Sequence, residues 1–458
     1  MRNHIVPANT TSPSDTPTTV ETSIMQMAQA RGAKVWSTPW TPAAGFKSVD
    51  DIYDTDTATG GGLNGGSYLG SGNNATNQAY ASQLANYVAN MQSQGINLYA
   101  ISIQNEPDAD VTNYEACQWS GAQIHDFVTN LYNALVAEGV GSTKIMLPES
   151  ENWTDPQNLA GPAMSDPAVA AEVGIVADHD YVPDNSVGDQ TVPAQIVTPS
   201  GQATWETEVS LLSGSDSSIA NGLYWGQRIY LFLTQAQANA YHYWWLVAYE
   251  TGNEGLLDNN GSITKRLFVF GKYSRFVRPG YYRIDAANAG DVLISAFDDT
   301  NSDNFVMVAV NTNAAAISQS FNLTNFPGVV SSVTPWITSA TNSLANLVPV
   351  SVSGSSFTYL LPAQSVVTFV GQSVTIPSPN IIPSGTAYLP SASAFVLTWN
   401  ATAGATYSVL KTNVLSGSSA NWPAIVTGYP AGGAVGGPLS YTDTTATAST
   451  AYYRVRSP

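Results

Sequence analysis

From the N-terminus to about residue 285, short apolar runs alternate with amphipathic segments, the rhythm of a parallel α/β architecture. Three segments carry a helical period. Val20, Ile24, Met27 and Ala28 line one face before Gly32, and Tyr80, Leu84, Tyr87, Val88 and Met91 line another before Gly95. In the third, Ser120 is the expected N-cap, Ile124, Phe127, Val128, Leu131 and Leu135 form the stripe, and Gly139 ends it. Between the helices the pattern predicts buried strands at Lys34-Val-Trp-Ser, Leu98-Tyr-Ala-Ile-Ser-Ile, Lys144-Ile-Met-Leu, Ile175-Val-Ala-Asp-His, Ala203-Thr-Trp-Glu-Thr-Glu and Ala240-Tyr-His-Tyr-Trp-Trp, with Ile5 closing a seventh. Polar and aromatic residues collect at the C-terminal ends of these runs, where a (β/α)8 TIM barrel places its chemistry.

After Gly280 the pattern becomes alternating strands punctuated by Gly, Asn and Ser, such as Asp291-Val-Leu-Ile-Ser-Ala-Phe, Phe305-Val-Met-Val-Ala-Val and Ser365-Val-Val-Thr-Phe-Val. These read as an all-β sandwich. Ile376-Pro-Ser-Pro-Asn-Ile-Ile-Pro has no period and reads as a linker. Beyond it, Val396-Leu-Thr-Trp399, Tyr407-Ser-Val-Leu and Tyr452-Tyr-Arg-Val resemble a small fibronectin type III-like module. The expected organisation is a catalytic barrel over residues 1–285, a side β-sandwich over 286–372, a Pro-rich linker over 373–385 and the module over 386–458.

Composition narrows the chemistry. The net charge of −18 repels phosphate backbones and anionic headgroups, so neither nucleic acid nor a membrane is an expected partner. The single cysteine, Cys117, excludes an intrachain disulfide and a cysteine-ligated metal site. The four histidines, His4, His125, His179 and His242, lack the two-histidine helical spacing of zinc hydrolases, and no metal or cofactor is expected. No apolar run approaches the ~18 residues of a membrane span, and Met1-Arg-Asn-His-Ile-Val-Pro lacks the apolar core of a signal peptide.

Two of the predicted strands run into carboxylates: Ile101-Ser-Ile-Gln-Asn-Glu106-Pro and Trp205-Glu-Thr-Glu208. A pair of acids on one cup suits glycosidic bond cleavage, in which one protonates the leaving oxygen and the other stabilises or captures the oxocarbenium-like centre. Sugar rings stack on aromatic faces, which makes Trp40, Tyr114, Trp153, Trp245 and Tyr249 candidate platforms.

The segments Gln104-Asn-Glu-Pro-Asp108 and Trp205-Glu-Thr-Glu208 resemble glycoside hydrolase family 30, in the clan of retaining enzymes marked by Asn-Glu-Pro. Val35-Trp-Ser-Thr-Pro-Trp-Thr-Pro, His179-Asp-Tyr181, Tyr273-Ser-Arg-Phe-Val-Arg-Pro-Gly-Tyr281 and Tyr359-Leu-Leu-Pro-Ala-Gln-Ser-Val extend the likeness from residue 1 to about 371. The resemblance implies that Glu106 is the general acid/base and Glu208 the nucleophile. It also implies that Asn105 holds the sugar 2-hydroxyl, that His179 and Tyr181 bond around the nucleophile, and that Arg2 steadies it. Glu206, two residues from Glu208, points the same way but one layer deeper.

The whole chain resembles the bacterial β-1,4-xylanases of the family, which implies a monomer that is secreted and acts on plant cell-wall xylan. It departs from glucuronoxylan-specific members, which carry an arginine shortly after the paired tryptophans of strand eight. Here Trp244-Trp-Leu-Val-Ala-Tyr249-Glu has none, and no arginine lies between Arg228 and Arg266. Where the family usually has an aromatic two places after the nucleophile and three places after the acid, this chain has Ser210 and Ala109. The expectation is an endo-xylanase independent of glucuronate side groups. Family members also begin with a sandwich strand and a first barrel strand, so a truncated start and a barrel lacking its first strand are expected. Two other readings stay open: a β-1,6-glucan or β-1,6-galactan hydrolase of the same family, and a carbohydrate-binding protein whose truncated barrel does not turn over.

Overall fold

The computed structural model describes residues 1–5, 19–49, 52, 66–111, 114–153, 156–181, 192–199, 201–211, 216–247, 254–258, 260–287, 290–324, 326, 328–374, 378–415, 421–446 and 450–457. The chain divides into two compact units: Met1–Asp216 with Gln227–Ile263, and Ser217–Gly226 with Thr264–Pro458.

The first unit is built on seven strands, β1 (Arg2–Ile5), β2 (Trp36–Pro39), β3 (Ala100–Ser102), β4 (Lys144–Ser150), β5 (Val173–Asp178), β6 (Ala203–Glu206) and β7 (Ala240–Tyr241). Each pairs in parallel with the next, so sheet order equals chain order. Parallel neighbours need crossovers, and helices α1 (Thr19–Gln29), α2 (Ala75–Ser93), α3 (Gly121–Ala137) and α4 (Pro156–Ser165) supply the first of them. This is the α/β arrangement of TIM-like folds, with all strand C-termini at one end.

Helix α3 forms where the sequence places it. Ser120 accepts the Gln123 amide while the Gln123 side chain returns to Ser120, a capping box, and Gly139 takes the left-handed conformation that ends the segment. Its five stripe residues are buried, at about 1.5–3 kcal/mol each. Helix α1 differs from its expectation. Val20, Ile24 and Met27 are exposed, and the residue it buries is Met25. Met25 joins the core cluster that holds Val35, Val88 and Met91, and of the expected stripe only Ala28 packs against that cluster.

The second unit is antiparallel β. Its larger sheet runs Ala345–Asn346, Val329–Thr338, Ser365–Val374, Asn304–Asn311, Val292–Asp299, Tyr281–Ile284, with Val350–Ser351 also on Val329–Thr338; Ile317–Asn322 pairs with Ser356–Leu361. Phe305, Phe321, Phe357 and Phe369 fill the core. A Cβ on Gly371 would come within 2.3 Å of the Phe305 ring, so only glycine fits there. The C-terminal residues form two smaller sheets, of four and three strands, around Leu397, Trp399, Tyr407 and Val409.

Candidate active site

The loop after β3 is stitched to both neighbouring strand ends: the Asn105 amide donates to Pro39 O at 2.8 Å and the Glu106 amide to Glu149 O at 2.9 Å. Glu106 adopts a left-handed backbone, φ 44°, and Glu149 does the same at φ 59° beside a register break between Pro148 and Ser150. Positive φ in a residue with a Cβ costs about 1–3 kcal/mol, and strain of this kind collects at functional sites. Beyond β6 the pairing continues through Thr207 N–H to Asp178 O at 3.0 Å and Asp180 N–H to Glu208 O at 3.1 Å. Glu208 is thereby fixed at the rim of the same end of the sheet.

The side chains converge. Arg2 donates to Glu208 Oε2 and to Asn105 Oδ1, and its Nε donates to Thr38 Oγ1 at 3.2 Å. Tyr181 O–H donates to Glu208 Oε1 at 3.1 Å. Glu106 is held on both oxygens, by His179 Nδ1 at 3.0 Å and by Tyr114 O–H at 2.7 Å. Among the described residues, one group has donor atoms spaced as a cation would require: Glu106, His179 and Glu208, with atoms within 4.8 Å of one another. Arg2 already gives this group a fixed positive charge on Glu208.

Burial alone would push the Glu106 carboxyl up, but the hydrogen bond and charge of His179, with the Tyr114 hydroxyl, outweigh it and hold it below the usual range. The counterpart is His179, which burial would push down and which its hydrogen bond to Glu106 and the nearby Glu149 carboxylate raise instead. The two opposite shifts favour the pair with its proton on His179 and its negative charge on Glu106, joined by one hydrogen bond. Tyr114 and Tyr181 are both pushed up, by burial and then by the Glu106 charge, and so remain hydroxyl donors. Glu206, fully buried under Glu208, accepts the His242 amide at 2.6 Å; burial and the Asp180 charge raise its carboxyl well above the ordinary range.

Aromatic rings frame this end. Trp40 meets Tyr114 edge-on at 5.8 Å, tilts against Trp244 at 5.6 Å and lies 4.6 Å from His4, while Trp245 stacks on Trp244 at 5.0 Å. Trp153 is a correction to the expected platforms. It is 4% exposed, its ring packs edge-on against Phe232 at 4.9 Å, and its indole donates to Ala194 O at 2.7 Å, which leaves no face for a sugar. Tyr249 lies outside the described residues. The sequence reading missed Glu149, another buried carboxylate: the predicted strand Lys144-Ile-Met-Leu stops short of it, whereas the strand continues through Pro148 and Glu149 to Ser150.

No family model matches the chain. Over 358 residues it is 32% identical to glucuronoxylanase XynC of Bacillus subtilis (strain 168), with 76% of each chain covered. Among solved structures it is similar to a glycoside hydrolase family 30 subfamily 8 xylanase from Clostridium acetobutylicum, at 30% identity and a TM-score of 0.68 over 81% of this chain and 88% of that one. A second is a family 30 endoxylanase from Clostridium papyrosolvens C71, at 30% identity and a TM-score of 0.61 over 77% and 83%. The chain belongs to glycoside hydrolase family 30. As a family 30 member it is a glycoside hydrolase, and the two acids the strands deliver to one end are carboxylates such an enzyme can use.

Proposed function

We propose that the protein is a retaining endo-xylanase that cleaves β-1,4-xylan by double displacement and does not depend on glucuronate side groups. The observation that carries this reading is the spacing of its acids: carboxylate oxygens of Glu106 and Glu208 lie within 4.8 Å of each other. Retention works across ~5–5.5 Å, whereas inversion needs ~6.5–9.5 Å to admit a water. Glu208, kept ionised by Arg2 and oriented by Tyr181, attacks the anomeric carbon while Glu106 passes the proton of its pair with His179 to the departing glycosidic oxygen. Water then donates a proton back to Glu106 and attacks the same carbon, releasing Glu208. Asn105, fixed by Arg2, is placed to bind the sugar 2-hydroxyl, and Trp40, Trp245 and Tyr114 offer ring faces and edges to neighbouring sugars.

Independence from glucuronate rests on charge. The stretch after Trp245 has no arginine to grip a carboxylate. Beside Glu106, Asp108 accepts the Glu151 amide at 2.9 Å, and Glu151 is raised first by burial and then by the Glu106 and Asp108 charges. An anionic side group would meet like charges there.

The test is product analysis on arabinoxylan, glucuronoxylan and β-1,6-glucan. Xylo-oligosaccharides from both xylans at similar rates are expected, and both Glu106→Gln and Glu208→Gln should lose about 10²–10⁴-fold. Azide added to Glu208→Ala should give a xylosyl azide of inverted configuration. Wild-type turnover in either Gln variant ends the assignment of roles, and cleavage confined to glucuronate-bearing xylan or to β-1,6-glucan ends the assignment of substrate.

A further inference from the structure

Glu149 has no part in the double displacement above, yet it is fully buried beneath the two acids. Its Oε2 accepts Thr38 O–H at 2.8 Å, and its Oε1 stands 3.5 Å from Arg2 Nη2 and 3.8 Å from His179 Nε2. The imidazole thus has a carboxylate at each nitrogen, Glu106 at Nδ1 and Glu149 at Nε2, with Glu208 3.9 Å from Nε2. At 3.8 Å the Glu149 carboxylate is beyond hydrogen-bond reach of Nε2, and neither atom has a hydrogen-bond partner among the described residues, so Glu149 acts on the ring through its charge, which favours the protonated imidazole. The backbone points the same way, since the Glu149 carbonyl accepts the Glu106 amide and both residues hold left-handed conformations.

We propose that Glu149 is a positioning residue that acts through His179 to keep a proton on the His179–Glu106 pair. The inference rests on the reading of Glu106 as the acid. The pair gives this proton to the glycosidic oxygen in the first displacement and regains it from water in the second. The groups facing His179 are Glu106 beyond β3 with Asp108 on the same loop, Glu149 on β4 with Glu151 just past it, Glu208 beyond β6, Tyr181 beyond its own strand and Arg2 on β1; of these charges only Arg2 opposes its protonation. Burial would push Glu149 up, but Arg2 and His179 hold it at about 2, so its negative charge persists throughout the working range.

The measurement is the pH profile of kcat/KM for Glu149→Gln and Glu149→Asp, on xylan and on a dinitrophenyl xylobioside whose leaving group needs no proton. Removing a negative charge makes the pair release its proton at lower pH. The alkaline limb on xylan should therefore move down by about one unit in Glu149→Gln, giving roughly tenfold lower kcat/KM above that limb, with Glu149→Asp between it and wild type. Glycosylation by the dinitrophenyl substrate should change less than about threefold. An unmoved limb, or an equal loss on both substrates, overturns the proposal, the latter because it would place Glu149 behind Arg2 and Glu208. If Glu149→Gln gives no cooperative melt, the limb of folded Glu149→Asp decides alone. Glu106→Gln run alongside keeps the two readings apart: its wild-type turnover would remove the parent assignment, whereas its loss with unmoved Glu149 limbs removes only this inference.

Discussion

Arg2 in the first unit and Lys272 in the second are both buried cations, with the Arg2 side chain 8% exposed and Lys272 at 0%. Arg2 donates to Glu208, Asn105 and Thr38 and lies 3.5 Å from Glu149, so its charge is matched on several sides. Lys272, on the helix Lys265–Ser274, has no hydrogen-bond partner for its ammonium among the described residues, and burial drives it down to about 6. A planar fork in a ring of acids keeps its charge, whereas an ammonium in an apolar setting gives up its proton. The first arrangement places a permanent field on a reacting carboxylate. The second only lowers stability at neutral pH.

Removing Arg2 is the harshest way to break this comparison. In Arg2→Met, Glu208 and Glu149 lose the cation between them, and stranding buried charges costs about 3–5 kcal/mol. Urea unfolding should show that loss, together with a fall in kcat on xylan; Arg2→Lys should recover part of the stability but not the two-pronged grip. A variant as stable as wild type would mean that the carboxylates near Arg2 find other partners.

Substitution of Lys272 has the opposite sign. The unfolded chain holds this proton up to about 10.5 and the folded one only to about 6, so the unfolded state binds more protons between those values. Stability therefore falls as pH drops from 10.5 toward 6 and levels off below. Lys272→Met should gain on the order of 3 kcal/mol at pH 7 and flatten that slope, with activity unchanged. Denaturant midpoints at pH 6, 7, 8 and 9 check it, and a parallel slope in the variant would show that another group titrates.

The same contrast marks what was legible in the sequence. Strand positions, the α3 stripe and its cap were readable because period and capping chemistry are local. Glu106 and Glu208 were legible as acids just past the ends of two predicted strands, and the structure places both at that end of the sheet. The facing of α1 was not legible, since Val20, Ile24 and Met27 form a valid stripe and only the core cluster that Met25 joins decides which face is buried. Trp153 was misplaced for a related reason: an indole beyond a strand end suits a cleft or a core equally, and Phe232 settles it as core. Glu149 stayed hidden because the apolar run ends at Leu147, while the strand continues past Pro148 through a register break that the hydrophobic pattern does not show.

The smallest effect expected tests two acids on one strand. Glu206 and Glu208 are two residues apart, but Arg2 reaches only the outer one, while Asp180 is occupied by Arg228, at 2.5 Å and 3.1 Å. Glu206 is left with the His242 amide on one oxygen and, among the described residues, no partner on Oε1, and burial with the Asp180 charge favours the protonated form of its carboxyl. Glutamine has nearly the shape of that protonated acid. Glu206→Gln should therefore change kcat by less than about threefold, against the 10²–10⁴-fold expected for Glu208→Gln. The folded state binds this proton more tightly than the unfolded one, so wild-type stability declines as pH rises above 4.5 toward the raised folded value, and the variant should lose that decline. If Glu206→Gln abolishes turnover and Glu208→Gln does not, the deeper acid is the one that reacts, and the charge matched by Arg2 serves structure alone.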